Sequence, residues 1–230
     1  MTCGFDTLRA PEALFRVGRM PDVWRWADWS HMGRGRWDDP RGLYRVLYAS
    51  CSRLGAFLEV LAPLRPDPEL AAQLGRIRSN DRGAPQTALP GHVPARWRHE
   101  RVLGHGVPDE VNGLLVVVGG SISLATLRRA LAGVARRFGL RDLDAAAIRL
   151  SAPRGFTQDV SRYVYDRVAK GGSQFAGLYY LSKHGDDIAN CGIFEREGPF
   201  PVTSVERTAI DSDDYDFVTS CSLLGLEAGS

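Results

Sequence analysis

Gly33 to Glu59 reads GRGRWDDPRGLYRVLYASCSRLGAFLE, and places arginines, a turn, an apolar strand and a helix with one carboxylate in a single short span. Arg34 and Arg36 alternate with glycines, whose missing side chains let a ligand approach backbone and guanidinium together. Asp38, Asp39, Pro40 and Gly42 have the composition of a turn. Leu43 to Ala49 then predicts a buried strand, with Val46 and Leu47 apolar and Tyr44 and Tyr48 aromatic. Ser50 or Ser52 can cap a helix over Cys51 to Leu61, which carries Leu54, Phe57, Leu58 and Leu61 on one face. Glu59 lies off that face and is the sole acid between Arg53 and Arg65. Charged residues are mostly exposed, so a solvated glutamate is one reading. The other is a buried carboxylate, which needs a partner such as an arginine because an unpaired one is costly or takes up a proton.

Outward from this span, the order Phe15, Arg16, Val17, then Gly35, Arg36, Trp37, then Tyr48, then Glu59 resembles the N-terminal signature of the RES domain family. That family is named for its Arg, Glu and Ser. The third element is expected later, within a Gly-aromatic/Ile-x-Tyr-x-Ser segment, and Gly177, Leu178, Tyr179, Tyr180, Leu181 and Ser182 stand for it, followed by Lys183, His184 and Gly185 and then by Cys191, Gly192, Ile193 and Phe194. The resemblance runs from about Leu14 to Glu195. It implies an α+β fold like that of ADP-ribosyltransferase toxins, a single domain with central mixed β-sheets flanked by helices. The expected layout is a lead over 1–12, an NAD-binding catalytic domain over 13–197 with a loop insertion near 79–98, and a packed tail over 198–230.

Composition sets the outer limits. With 230 residues, 44% hydrophobic and 24% charged, the chain has the make-up of a globular domain with a full-sized core. A formal charge of +2 is too small to imply a nucleic-acid or anionic-membrane partner. The opening MTCGFDTLRAPEALFRV lacks the basic and then apolar pattern of a secretory signal. Val111 to Leu127 is shorter than the ~20 residues of a membrane span and is broken by Gly119 and Gly120. The expectation is a soluble, cytoplasmic protein. Cys3, Cys51, Cys191 and Cys221 are scattered without a Cys-x-x-Cys pair, which argues against a disulfide framework or a zinc site.

Along the rest of the chain, Ala13 to Gly18 predicts a strand delivering Arg16. Trp24, Trp26 and Trp29 read as a packed flap, or as a surface on which a base could stack. Pro66 and Pro68 open a short helix ending near Ile77, and Ser79 to Arg98 reads as a long proline-rich loop. Leu114 to Val118 is a buried strand, followed by Gly119, Gly120 and a helix over Leu124 to Phe138. A helix start of that kind can hold phosphate, but neither a P-loop nor a dinucleotide fingerprint is present and a tight turn suffices. Leu143 to Leu150 is a short helix or strand. Thr157 to Val168 predicts a helix capped by Thr157, with Val160, Val164 and Val168 on one face and Gly171 and Gly172 at its end. Phe175 to Leu181 and Asn190 to Phe194 are strands around a turn at Lys183 to Asp187. The tail shows an acidic run at Asp211, Asp213, Asp214 and Asp216, read as a solvated turn, and then a final packed helix.

If Arg16, Arg36, Tyr48, Glu59 and Ser182 converge, two fixed cations, an aromatic face, a carboxylate and a hydroxyl share one site. Arginine forks match phosphate oxygens in pairs, and a carboxylate can hold ribose hydroxyls and stabilise an oxocarbenium-like transition state. That combination points to NAD as substrate. The resemblance implies a toxin that consumes NAD by phosphorolysis, with inorganic phosphate as co-substrate, or by hydrolysis, without a metal. It makes Arg36, Glu59 and Ser182 the name-giving trio, with Arg16 and Tyr48 beside them. The assigned roles are Arg16 and Arg36 on phosphates, Tyr48 on the nicotinamide riboside, Glu59 on the ribose, and Ser182 on phosphate or the amide. The alternatives are ADP-ribosyl transfer to a protein and a non-catalytic nucleotide-binding module; a nucleic-acid binder is the weakest reading. Family members are commonly paired with a separately encoded antitoxin that blocks the cleft, and a homodimer is compatible with the reading. Asp38 stands where the family pattern has Asn, and Lys183 where Arg is common, so an added negative charge beside a phosphate site must point away.

Overall fold

A computed structural model describes residues 4–66, 91–108, 113–150, 152–169, 174–198 and 200–229. In chain order these form β1 (Thr7–Arg9), β2 (Leu14–Arg19), β3 (Val46–Ser50), α1 (Arg53–Leu61), β4 (His92–Val93), α2 (Ala95–His99), β5 (Arg101–Pro108) and β6 (Leu114–Val117). They continue with α3 (Ser121–Arg137), α4 (Ala145–Arg149), α5 (Arg154–Tyr165), β7 (Gly177–Leu181), β8 (Ala189–Phe194), β9 (Val202–Ala209), α6 (Tyr215–Leu224) and β10 (Glu227–Ala228). Eight strands make one sheet in the order β1-β6-β7-β8-β3-β2-β5-β9. Only β6 and β7 run parallel within it. A small parallel pair, β10 with β4, lies apart. The architecture is α+β, with a mixed sheet flanked by helices.

Period-two alternation along the central strands feeds apolar side chains to both faces. Val46, Leu178, Tyr180 and Phe194 enter a cluster with Leu127 and Leu131 of α3 and Phe156, Val160 and Val164 of α5. Leu47, Ala49, Cys191 and Ile193 point the other way and meet Leu14, Val23 and Trp24. A third cluster joins Phe57, Leu58 and Leu61 of α1 to Phe217, Cys221 and Leu224 of α6 and to Val17 and Leu103. Val23 and Trp24 lie flat on β5 because it carries glycines there: a Cβ on Gly106 would stand 2.7 Å from the Trp24 ring.

Several elements differ from the sequence reading. The strand expected from Leu43, β3, starts at Val46, and Leu43 is 62% exposed. The helix expected from Thr157 begins at Arg154 with Pro153 as its N-cap, and the Thr157 hydroxyl donates to backbone carbonyls instead of capping. Val168 lies beyond the helix in an isolated bridge with Gln174 and is 57% exposed. Gly171 and Gly172 lie outside the described residues, as do the helix expected up to Ile77 and residues 79–90 of the expected loop. The remainder of that loop is structured: Val93 and Trp97 pack into the α1–α6 cluster. Residues 198–230, expected as a tail, supply β9, which pairs with β5 at the sheet edge, as well as α6. The acidic run is not simply solvated. Asp214 caps α6 by accepting the Phe217 N–H, and Arg53 of α1 donates to Asp214 at 2.6 Å and to Asp216 at 2.9 Å.

Candidate active site

Tyr180, Asn190, Ser50 and Phe15 are successive cross-strand partners over β7, β8, β3 and β2. All four line a cleft of about 440 Å3, which Arg16, Arg36, Tyr48 and Glu59 also line. Four adjacent strands thus give a continuous floor, and α1 brings Glu59 against it. The helix starts where it does because Ser52 is extended and accepts the Gly55 N–H, a cap that fixes the helix phase after β3.

Glu59 is half-buried, and its Oε1 accepts two hydrogen bonds, from the Ser182 hydroxyl at 2.6 Å and from the Asn190 amide at 2.8 Å. Among the described residues nothing bonds its Oε2. Ser182 itself is only 1% exposed, accepts the His184 N–H at 3.0 Å, and does not line the cleft. The expectation was contact with phosphate or amide; in the protein the hydroxyl donates to Glu59 and accepts from His184, which sets it against the carboxylate.

The arginine loop is tied down from α5. Gln158 donates to the carbonyls of Gly33 and Gly35, each at 2.9 Å, Thr157 to that of Arg36 at 2.8 Å, and Ser161 to that of Trp37 at 2.6 Å. Asp38 closes the turn: its carboxylate accepts the Gly35 N–H at 2.7 Å and the Tyr48 hydroxyl at 2.8 Å. It is 5% exposed and absent from the cleft lining, so its charge points away from a bound anion. The Tyr48 hydroxyl also accepts the Trp37 N–H at 2.8 Å, which leaves its ring as what it offers the cleft. Burial, with Asp38 beside it, pushes the Tyr48 phenol up and keeps it neutral.

Arg36 donates to the Ile148 carbonyl and stacks over Trp37 at 4.8 Å and Tyr180 at 5.3 Å. Burial lowers its pKa, against the opposing pull of Tyr180, Glu59 and Tyr48, and its Nε has no partner among the described residues. Arg16 is the more desolvated of the two. Burial brings it down from the usual arginine range to about 10, with Asp22 opposing, and its buried Nη1 is unpaired among the described residues. Two half-buried guanidiniums lining one cleft have the chemistry to take the oxygens of an anion such as phosphate. Arg34, Arg154 and Lys183 add exposed cations around the same cleft.

The structure brings Arg16, Arg36, Tyr48 and Glu59 together on the cleft and places Ser182 behind Glu59. The sequence reading missed Asn190, Arg154 and Tyr180 as site residues. For Asn190 the available signal is its place at the start of β8, opposite Tyr180, which is visible only once the strands are paired. Trp24, Trp26 and Trp29 do not line the cleft; Trp24 is buried against β5, and Trp26 and Trp29 flank Arg45. The α3 N-terminus holds no free anion site, since Asp6 accepts the N–H groups of Ile122 and Ser123 there. No group of His, Cys, Asp and Glu suited to a metal ion occurs among the described residues, and no helix among them is long and apolar enough to cross a membrane.

No curated protein matches the chain in sequence. A chain of the M. tuberculosis MbcT–MbcA toxin–antitoxin complex shares the fold with a TM-score of 0.52 at 10% identity, over 95% of this chain and 91% of that chain. The RES domain model matches residues 13–219, a span that takes in the arginine loop, Glu59, Ser182 and also β9. By that match the chain belongs to the RES domain family.

Proposed function

We propose that this protein is a RES-type, toxin-like enzyme that cleaves the nicotinamide N-glycosidic bond of NAD, with phosphate or water as acceptor. The observation that carries the reading is the Glu59 carboxylate, held by Ser182 and Asn190, in one cleft with the incompletely neutralised Arg16 and Arg36. In this reading the two arginines take the pyrophosphate oxygens, and the Tyr48 ring borders the nicotinamide riboside. Glu59 lies against the ribose as the C1′–N bond breaks. The bonding pair leaves with nicotinamide and neutralises its ring nitrogen, while positive charge spreads over C1′ and the ring oxygen near the carboxylate. An oxygen of phosphate then bonds C1′, or an oxygen of water does so with release of a proton to solvent. No step needs a metal.

The printed description of the MbcT–MbcA structure as a toxin–antitoxin complex supports the further proposal of a separately encoded antitoxin that covers this cleft. Residues 13–197 would form the catalytic unit, acting in the cytoplasm where NAD is available. Transfer of ADP-ribose to a protein is the second reading, since Arg34, Arg154 and Lys183 leave the cleft mouth rich in charge for an acidic acceptor.

The test is NAD loss with purified protein, with and without inorganic phosphate, followed by the mass of the product. A phosphate-dependent ADP-ribose phosphate marks phosphorolysis, and free ADP-ribose marks hydrolysis. Labelled ADP-ribose on a macromolecule marks transfer. Glu59→Gln keeps an acceptor oxygen for Ser182 and should leave the fold intact while turnover falls below detection. Unchanged NAD loss in that variant removes Glu59 from the mechanism.

A further inference from the structure

Folding brings together two cysteines that stand 140 residues apart in the chain, with the Cys51 and Cys191 sulfurs 4.0 Å from one another. Cys191 lies inside β8, opposite Ala49 of β3 and Tyr179 of β7, and is buried. Cys51 follows the last residue of β3 and is half-exposed, so it is the thiol that solvent reaches. Both pack with Leu47, Ala49 and Ile193 on one face of the sheet. Their chain neighbours Ser50 and Asn190 pair across the same two strands, and by the alternation of a strand point to the other face, where they line the cleft. The two thiols therefore sit behind that part of the cleft floor.

The segment from Cys51 to Glu59 couples this pair to the chemistry. A disulfide holds its sulfurs about 2.05 Å apart, so the two thiols must close by roughly 2 Å to form one. Cys191 has little freedom to move, since β8 is hydrogen-bonded to a strand on each side. Cys51 has more: it lies in a bend past the end of β3, with its N–H on the Ala189 carbonyl at 2.9 Å. The next residue, Ser52, caps α1 by accepting the Gly55 N–H at 3.1 Å. Gly55 in turn sits so close to the end of β3 that a Cβ there would collide with Ser50 Oγ. Glu59 is four residues further along α1, on the same helix face as Gly55. Drawing Cys51 towards Cys191 thus moves the cap, and with it the helix that holds Glu59 against its donors Ser182 and Asn190 at 2.6 and 2.8 Å.

We propose that Cys51 and Cys191 form a peroxide-reactive thiol pair, a modification site whose disulfide lowers turnover in the cleft by shifting α1. The contact with Cys191 holds the Cys51 thiol below its usual pKa, which favours the thiolate that reacts. That thiolate bonds one oxygen of hydrogen peroxide as the O–O bond breaks, and the departing hydroxide takes up the proton Cys51 released, giving water and a sulfenic acid on Cys51. The Cys191 sulfur then bonds the Cys51 sulfur as the S–O bond breaks, and the second hydroxide leaves with the Cys191 proton as water. Two thiols are oxidised to one disulfide and one peroxide is reduced to two waters. A dithiol reductant reverses the bond by exchange. Formation of the bond is independent of what the cleft binds, whereas the loss of turnover rests on the NAD reading.

The experiment treats the reduced protein with hydrogen peroxide and reads two quantities, the masses of its peptides and the rate of NAD consumption before and after dithiothreitol. The expected product is a peptide pair joining Cys51 to Cys191, two hydrogens lighter than the free thiols. Turnover should fall roughly 10- to 100-fold, the cost of misplacing a catalytic group by about 1 Å, and dithiothreitol should restore it. Cys51→Ser leaves the Ser52 cap and every cleft residue in place, so it should consume NAD at the native rate and keep that rate through the peroxide treatment. Cys51→Ala provides the same comparison should the serine variant fail to fold. Absence of the joined peptides overturns the proposal, as does a joined pair with turnover unchanged, or a Cys51 variant that peroxide inactivates as fully as the native protein. A reduced protein that leaves NAD intact overturns the NAD reading and the control of turnover together, while the disulfide itself is decided by the peptide masses.

Discussion

Ser182→Ala separates a hydroxyl that touches substrate from one that orients the carboxylate. The native hydroxyl donates to Glu59 at 2.6 Å and accepts from His184 at 3.0 Å, in a position only 1% exposed. Removing it deletes a hydrogen bond to a charged group, worth about 1.5–3 kcal/mol, and leaves the His184 N–H without its partner. For a chain of 230 residues that loss lowers Tm by roughly 4–10 °C. If the freed Glu59 carboxylate loses a similar share of its transition-state interaction, kcat falls by about 10- to 150-fold. KM for NAD and for phosphate should stay within about 3-fold, since Ser182 does not line the cleft. The assay is steady-state NAD consumption on folded protein, with Tm from differential scanning calorimetry as the fold control. A large rise in KM for phosphate with kcat unchanged would refute the orienting role and return Ser182 to the phosphate.

Three further outcomes follow from the same contacts. Arg16→Met should raise Tm while weakening NAD or phosphate binding more than about 10-fold, because a guanidinium lowered to about 10 by burial disfavours the folded state by about 3 kcal/mol while charged. That penalty is complete below about pH 10 and is relieved only above it, so the gain in Tm should be flat over about pH 5 to 9; a lower Tm would show that Arg16 has a partner after all. Asp38→Ala removes the acceptor for both Gly35 N–H and Tyr48 hydroxyl and should cost about 2–4 kcal/mol in chemical denaturation, whereas a near-neutral result would mean the turn holds without it. Cys51 lies 4.0 Å from Cys191, and this contact holds the half-exposed Cys51 thiol below its usual pKa while it and burial push Cys191 up. Iodoacetamide at neutral pH should therefore label Cys51 ahead of Cys191 and Cys221, as read by peptide mass; labelling of Cys191 first would contradict the arrangement.

Local chemistry was legible where the chain states it locally. The strand at Tyr48, the cap at Ser52 and the helix carrying Glu59 follow from adjacent residues, and all three form. Arg16 and Arg36 were legible as ligand candidates only through their order relative to Glu59, since an arginine alone carries no direction. The role of Ser182 was not legible, because whether a serine faces a cleft or the back of a carboxylate depends on the turn that follows β7, and the His184 N–H sets it. β9 was hidden for a different reason. Its pattern is exposed at most positions from Thr203 to Ala209, as suits an edge strand with little burial to write into its sequence. Thr157 reads as a helix cap in the sequence, yet it, Gln158 and Ser161 all spend their side chains on the backbone of the arginine loop. That use is long-range, across more than a hundred residues, and no periodicity announces it.

Charge in the cleft bears on the choice of acceptor. Arg16, Arg34, Arg36, Arg154 and Lys183 line it against the single carboxylate of Glu59. A bound NAD brings two negative phosphates and one positive ring, which leaves the cleft strongly cationic. Water as acceptor would do nothing to that excess, whereas inorganic phosphate would reduce it and would be drawn in by the same field. The excess is unchanged as the bond breaks, but its positive charge moves from the departing nicotinamide to the ribose carbon while the arginines stay fixed. An anionic nucleophile meets that charge as it forms, and a neutral one does not. The same field favours an acidic segment of an antitoxin over a basic one as the occupant that blocks the cleft. Phosphate and such a segment would then compete for the cations of the cleft, Arg16 and Arg36 among them.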